Sequence, residues 1–519
     1  MSWQHLTIRI YRGEGKTKMD TVNLYILCEG AKLSSISSYQ KALTNSNEKK
    51  QMKKDEIETL EKFVNELLAN GAVIEDLDCF FYGFSIPQIS KEFDLLKIYQ
   101  DDIVINIELK SQDVELEKLE YQLKKNRYYL SHLNRKVYSF TYVKTENYGN
   151  IYSYNGIELV KSNIAEILTL IKRKEKCIEE DIETMFKAKE YLISPINTPD
   201  VFVNGNYYLT GQQEGIKNKI IKGIKNEERI CWGIQGSAGT GKTLLLYDIA
   251  KTLSSDMKVC VIHSGILSEG HIELNSRLDN VDIFPVKVCG VSLILQYDCV
   301  LVDESQRLYQ ADFNCIINAF LEEKIYCIFA YDYYQVLSNA EMNRNIPEQL
   351  NKIVSFRESK LSEKIRTNRE VASFIKNVIN LSHRPKGYMN YRNIEVLYAE
   401  NYKVAKNIID LYTLHKGYQF ISYTPSRVKY NEIDKFAHYT NTHHIIGQEF
   451  DNVIFSMDSN FRYTEDGHLQ GRVHPNPDYI FYKLWFQGVS RAREKLCILV
   501  IGNEKLFDNL LRIKMQFEE

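Results

Sequence analysis

The sequence predicts an α/β protein of several domains, with parallel sheets running through its C-terminal part. Three observations carry that reading. At 519 residues the chain is too long for one ordinary core, and its length suggests about three domains. Beyond residue 205, short apolar runs alternate with helical stretches, as βαβ units do. Between one such strand and the helix after it lies "GSAGTGKT", residues 236–243, a glycine-rich loop suited to holding phosphate.

Taken in order, residues 1–45 read as short strands and polar loops. A charged helix is expected over 49–69, with Ile57, Leu60, Phe63 or Val64, and Leu67 on one face. Strands follow in "CFFYGFSI", "EFDLLKI" and "DIVINIEL", the last two joined by the hairpin-like "YQDD". A helix over 114–134, the strands "KVYSFTYV" and "NIYSY", and a long helix reaching 192 complete the block. In "LISPINTPDVFVNGNYYLT" periodicity fails at Pro195, Pro199 and Gly205, so the boundary belongs there. The expected organisation is a domain at 1–192, a linker at 193–206, a first lobe at 207–360 and a second at 361–519. Strands in the lobes are "RICWGIQG", "KVCVIHSG", "DCVLVDES", "YCIFAYD", "YQFISYT", "NVIFSMD" and "KLCILVIG".

A composition of 44% hydrophobic and 26% charged residues fits a folded protein and excludes wholesale disorder. The formal net charge of −2 gives no global basic excess, so nucleic-acid contacts would have to come from local clusters such as "NEKKQMKKDE", "QLKKNRYYL" and "IKRKEK". Such runs are often no more than solvated helix faces. The ten cysteines show no CxxC pair and read as reduced thiols of an intracellular protein. No signal peptide and no apolar run of membrane-spanning length is present, so the expected location is cytoplasmic, without a membrane partner.

The phosphate loop satisfies G-x-x-x-x-G-K-[ST] in full. Gly236, Gly239 and Gly241 let backbone N–H groups turn toward phosphate oxygens, Lys242 reaches the β- and γ-phosphates of ATP, and the Thr243 hydroxyl is placed for Mg2+. "GEGKT" at 13–17 looks similar, but Ile10 occupies its first-glycine position and it reads as a polar turn. Farther on, the apolar strand in "CVLVDESQRL" ends in Asp303 and Glu304. There Asp303 would hold Mg2+ through water, and Glu304 would orient or deprotonate the attacking water.

From here the chain resembles superfamily 1 helicases, most nearly the Schlafen-type DNA/RNA helicase domain, over about residues 205–515. "VDESQ" resembles D-E-x-Q, and "YLTGQQ" resembles the adenine-reading Q motif, with Gln213 the better match and Gln212 close behind. "AYDYYQVLS" resembles motif III, with Asp332 and Gln335 in place and Tyr331 where glycine is usual. "LSEKIRTNREVASFI" resembles motif IV and gives Arg366. "HHIIGQEFDNVIF" resembles motif V and gives His443, Gly447 and Glu449, with Ile446 standing where that motif carries glutamine. "GVSRAREKLCIL" resembles motif VI and gives Arg491 and Arg493. The resemblance implies two RecA-like lobes that clamp ATP and Mg2+. Arg366 and Arg491 would stabilise charge on the γ-phosphate, Gln306 and Gln335 would sense it, and Glu449 and Arg493 would join the nucleotide site.

In "KEFDLLKIYQDDIVINIELKS", strand alternation puts Glu92 and Asp94 on one face, and Glu108 and Lys110 together on a face that Asp94 can oppose. Two carboxylates and a lysine suit a Mg2+-dependent phosphodiesterase, the carboxylates holding metal and the lysine serving water or scissile phosphate. This resembles the PD-(D/E)xK nuclease family, with its restriction-endonuclease-like fold, on Asp94, Glu108 and Lys110. Gln122 resembles the extra glutamine of RecB-like members, although Asn126 departs from their Q-x-x-x-Y spacing. Lys124, Lys125 and Arg127 beside Tyr128 and Tyr129 would either track a nucleic-acid backbone or form an ordinary packed helix. A further acidic ligand is open between Glu58 and Glu61.

Together these features imply an ATP-dependent nucleic-acid motor fused to a nuclease that uses Mg2+, or Mn2+ in its place. DNA is the favoured partner and RNA the alternative, and the domain pairing suits bacterial anti-phage defence or DNA processing. The competing expectations are an inactive nuclease fold that only grips, an RNA-directed enzyme, and a nucleotide-gated switch that never translocates.

Overall fold

A six-stranded mixed sheet organises the first of two units, Met1–Tyr191, in the computed structural model; the second unit is Leu192–Glu519. The structure describes residues 19–31, 54–86, 91–178, 180–186, 191, 193–323, 325–333, 335–362, 368–383, 389–425, 435–436, 439–471 and 479–516. The 13–17 turn and the expected first residues of the 49–69 helix therefore lie outside the described residues.

In the first unit the strands are β1 (Phe81–Ile86), β2 (Lys91–Ile98), β3 (Ile103–Lys110), β4 (Lys136–Val143), β5 (Asn150–Tyr154) and β6 (Leu159–Ser162), paired in that order. All neighbours are antiparallel except β3 and β4, which are parallel. A parallel pair needs a crossover, and the helix Leu116–Ser131 supplies it. On one face of the sheet Ile105 and Ile107 pack with Leu60, Phe63 and Leu67 of the helix Lys54–Ala69. On the other face the crossover helix covers Asn106 and Glu108, so β3 is buried on both sides until Leu109.

Among the described residues the long helix expected to reach 192 does not form. After β6, Asn163 caps a helix that ends at Ile171, accepting from the N–H groups of Ala165 and Glu166. The charged run after it offers no apolar stripe to bury. Its backbone instead pairs with the end of β2: the N–H of Gln100 donates to Lys176 O at 2.9 Å, and that of Ile178 to Ile98 O at 3.1 Å. A separate short helix, Ile182–Met185, then starts at an Asp181 cap.

The second unit holds two sheets that are parallel throughout. The first comprises β7 (Cys231–Gly236), β8 (Val259–His263), β9 (Val281–Pro285), β10 (Cys299–Asp303), β11 (Tyr326–Tyr331) and β12 (Phe356–Leu361), ordered β12-β7-β11-β10-β8-β9. The second comprises β13 (Ile394–Ala399), β14 (Gln419–Ile421), β15 (Phe450–Met457) and β18 (Ala492–Ile501), ordered β13-β18-β15-β14. A small antiparallel ladder, β16 (Arg462–Tyr463) with β17 (Leu469–Gln470), stands apart. Each large sheet buries apolar layers on both faces, as helices covering a parallel sheet require. Among the described residues no helix is long and apolar enough to cross a membrane.

Candidate functional site

β7 ends at Gly236, and the chain turns through the phosphate loop into the helix Lys242–Leu253. Gly239 and Gly241 adopt φ of 75° and 80°, a left-handed backbone that only glycine takes without strain. At Gly236 an added Cβ would lie 2.4 Å from Thr240 Oγ1, so the loop also closes too tightly there for a side chain. Lys242 Nζ rests against Ser237 O at 3.2 Å.

β10 lies two strands from β7, with β11 between, and its end brings Asp303 under the loop: Thr243 Oγ1 is 3.2 Å from Asp303 Oδ2. A hydroxyl and a carboxylate side by side at a phosphate loop fit Mg2+, a hard cation that prefers oxygen. His263, at the end of β8 and fully buried, places Nδ1 3.8 Å from the same Asp303 oxygen.

Glu304 takes a left-handed backbone, φ 55°, which turns its side chain into the cavity. Gln306 Nε2 donates to Glu304 Oε2 at 2.6 Å, while Gln306 Oε1 accepts from the Asp332 N–H at 3.2 Å. Burial works against the ionised form of Glu304. Arg307, Lys242 and Arg491 outweigh it and hold the carboxyl well below its usual range, at about 2.

From the second sheet, Gly447, Glu449 and Arg491 close the same cavity, opposite Lys242, Glu304 and Gln335. Arg491 Nη2 donates to Gln335 Oε1 at 3.2 Å. Among the described residues Arg491 Nε and Gln335 Nε2 have no hydrogen-bond partner, although both are buried. Buried donors without acceptors are costly, and an oxyanion between the lobes would satisfy them.

Gln213 completes a capping box with Thr210, accepting from its N–H at 2.9 Å, and its Nε2 reaches Gly241 O at 3.3 Å. Gln212 instead binds Lys360 O and Ser362. Of the two arginines in "SRAR" only Arg491 lines the cavity; Arg493 is ion-paired with Asp451 at 2.6 Å. Arg366 lies outside the described residues. Reading by motif missed Arg307, whose signal was its i+3 spacing from Glu304 on a tight turn.

In the first unit the register Leu95↔Ile107 brings Asp94 across from Glu108. Asp94 Oδ2 accepts from the Leu109 N–H at 2.9 Å. Burial, reinforced by Glu108, pushes Asp94 up to about 7. Lys110 Nζ stands 3.8 Å from Glu108 Oε2. Three amides also hold Glu108. Asn126 Nδ2 donates to Oε1 at 2.7 Å, Asn106 Nδ2 donates to Oε1 at 3.3 Å, and Gln122 donates to Oε2. Asn126 and Asn106 were not expected; Asn126 follows Gln122 by four residues, one turn along the same helix face.

Two facing carboxylates, one of them reluctant to ionise, suit a divalent cation, with carbonyl, water or phosphate oxygens completing its shell. Among the described residues no group of three or more His, Cys, Asp and Glu side chains is arranged to hold a metal ion. The acids left open as further ligands belong elsewhere: Glu58 pairs with Lys144 at 2.9 Å, and Glu58 and Glu61 line a hollow that includes neither Asp94 nor Glu108. Tyr128 and Tyr129 are not a free stacking platform, since Tyr129 is buried against Tyr191 and Tyr128 packs on His132.

Residues 229–410 match the family described as Schlafen group 3, DNA/RNA helicase domain. That segment is thus similar to a helicase domain, and it carries the phosphate loop, Asp303 and Glu304. No curated protein matches the chain. Solved structures similar to it include two coordinating Pif1 helicases at forked double-stranded DNA, at 12% identity over 56% of this chain and 92% of that one, TM-score 0.32. Pif1 helicase from Bacteroides with ADP-AlF3 and single-stranded DNA is 14% identical over 54% and 91%, TM-score 0.31. Pif1 helicase from Candida albicans is 13% identical over 60% and 100%, TM-score 0.31.

Proposed function

We propose that the chain is a nucleic-acid motor driven by ATP hydrolysis in its second unit, with a metal-dependent nuclease in its first. The observation that carries this reading is the cavity between the two parallel sheets, where Lys242, Thr243, Asp303, Glu304, Gln335 and Arg491 converge. Thr243 and Asp303 would hold Mg2+, which offsets phosphate charge. Lys242 and Arg491 bind the γ-phosphate from opposite lobes. Glu304 takes a proton from the attacking water as its oxygen bonds to the γ-phosphorus, and the bridging P–O bond breaks toward ADP. Gln335, bonded to Arg491, connects loss of the γ-phosphate to movement of the second lobe.

The first unit pairs Asp94 and Glu108 as metal ligands with Lys110 beside them, a set suited to cutting DNA. One observation favours a second reading, a nuclease fold that grips without cutting: both oxygens of Glu108 already accept from amides. The domain pairing suits bacterial anti-phage defence or DNA processing, with RNA as the rival substrate.

The decisive experiment measures ATP hydrolysis and strand cleavage side by side, with single-stranded, duplex and forked DNA and with RNA. Lys242→Ala is expected to abolish turnover, which nucleic acid accelerates in the wild type. Hydrolysis that ignores every nucleic acid would remove the motor. Cleavage in Mg2+ or Mn2+ that survives Glu108→Ala would leave gripping as the role of that site.

A further inference from the structure

The guanidinium of Arg307 is an anomaly in the nucleotide site. Its side chain is only 3% exposed, yet among the described residues Nε, Nη1 and Nη2 are all without a hydrogen-bond partner. A buried guanidinium whose donors meet a carboxylate only at ion-pair distance is expensive, and it persists where a reaction or ligand uses it. Its surroundings say which. The left-handed turn at Glu304 and the single 3₁₀ turn Ser305–Arg307 fold the side chain back, placing Nε 3.8 Å from Glu304 Oε2. The same oxygen accepts from Gln306 Nε2 at 2.6 Å. Arg307 also acts electrostatically on Arg491 and on His443, which is bonded through Nδ1 to Thr424.

We propose that Arg307 is a positioning residue for ATP hydrolysis. With Gln306 it anchors Oε2 of Glu304, so that the other carboxylate oxygen is presented to the attacking water. Its charge also repels those of His443 and Arg491 in the second lobe, which couples that anchor to the position of the lobe. Arg307 is not among the residues that line the cavity, and it acts through Glu304. This inference rests on the ATPase reading above.

Three full-length variants test it: Arg307→Met, which keeps bulk without charge, Arg307→Lys, which keeps charge without the fork, and Glu304→Gln/Arg307→Met beside Glu304→Gln. The steady-state kcat and KM for MgATP are measured for each, with thermal melting as the control for folding. Arg307→Met is expected to lower kcat about a hundredfold with KM within about threefold of wild type. Arg307→Lys should recover about a tenth of the lost rate, since a lysine keeps the charge near Glu304 but cannot present the fork. In the Glu304→Gln background, Arg307→Met should cost nothing further, because two residues acting through one step are not additive.

The inference is overturned if Arg307→Met keeps its kcat, or if KM rises alone, which would make Arg307 a nucleotide ligand. It is also overturned if the double variant is slower than Glu304→Gln, or if both single variants melt early and lose rate alike, which would leave only a structural role. Wild-type protein that binds ATP and does not turn it over would overturn the ATPase reading and this inference together. A wild type that hydrolyses ATP beside an equally active Arg307→Met sinks this inference alone.

Discussion

Asp94 shows what a single residue can report. Its folded value, about 7, lies above its ordinary 3.8 because burial and Glu108 disfavour the charged form. Between those values the folded state binds more protons than the unfolded one, so stability falls as pH rises and levels off above about 7. Without divalent cation, urea unfolding of the first unit should therefore be easier at pH 8 than at pH 5. The slope from this group is at most about 1.4 kcal/mol per pH unit. Asp94→Asn, neutral at both values, should flatten that slope and raise the midpoint at pH 8. An unchanged slope in the variant would show that Asp94 is not the group responsible. Residues of this kind were legible in the sequence where chemistry is local. The phosphate loop is eight consecutive residues whose meaning does not depend on distant packing, whereas the buried carboxylate pair depends on a register between strands. Arg307 was readable as a letter and not as a function, since its buried guanidinium meets Glu304 only once the turn after β10 folds it back.

Among the elements, the crossover helix Leu116–Ser131 decides what the acidic strand can do. Alternation along β3 assigned Glu108 and Lys110 to one face correctly, yet it could not say what covers that face. The helix does, and it brings Asn126 onto both Asn106 Oδ1 and Glu108 Oε1 at 2.7 Å. Asn126→Ala removes both bonds and leaves two buried acceptors short of donors, a cost of roughly 1–3 kcal/mol. Melting of the first unit should drop by several degrees. If the amides only restrain Glu108, the same variant should bind Mn2+ more tightly as the carboxylate is freed. If they orient it for metal, affinity should fall, and isothermal titration distinguishes the two. Other elements were illegible for a related reason. β9, β12 and β13 are edge strands of their sheets. The "FRESKL" of β12 carries no apolar alternation, because its half-exposed side chains leave the backbone bonds to β7 to define it. The expected helix toward 192 failed where the charged run after Ile171 pairs its backbone with the end of β2.

At the scale of the molecule, each unit has its own apolar core. Leu60, Phe63, Ile105 and Ile107 belong to one; Ile234, Leu245, Val261 and Leu301 belong to another in the second unit. Chain length and the loss of periodicity near Pro195 and Pro199 made a division legible, because a domain boundary is a failure of pattern as much as a pattern. Separate cores predict separate calorimetric transitions, and ligands identify them by mass action. A non-hydrolysable MgATP analogue at a hundred times its Kd should stabilise the unit that holds the phosphate loop by about 2.7 kcal/mol, raising its transition by a few degrees. Lys242→Ala should abolish that shift. Asp94→Asn should move only the other transition, and should do so with or without nucleotide. A single transition that responds to both variants alike would mean that the two cores unfold as one, and the assignment of nucleotide to the second unit alone would have to be abandoned.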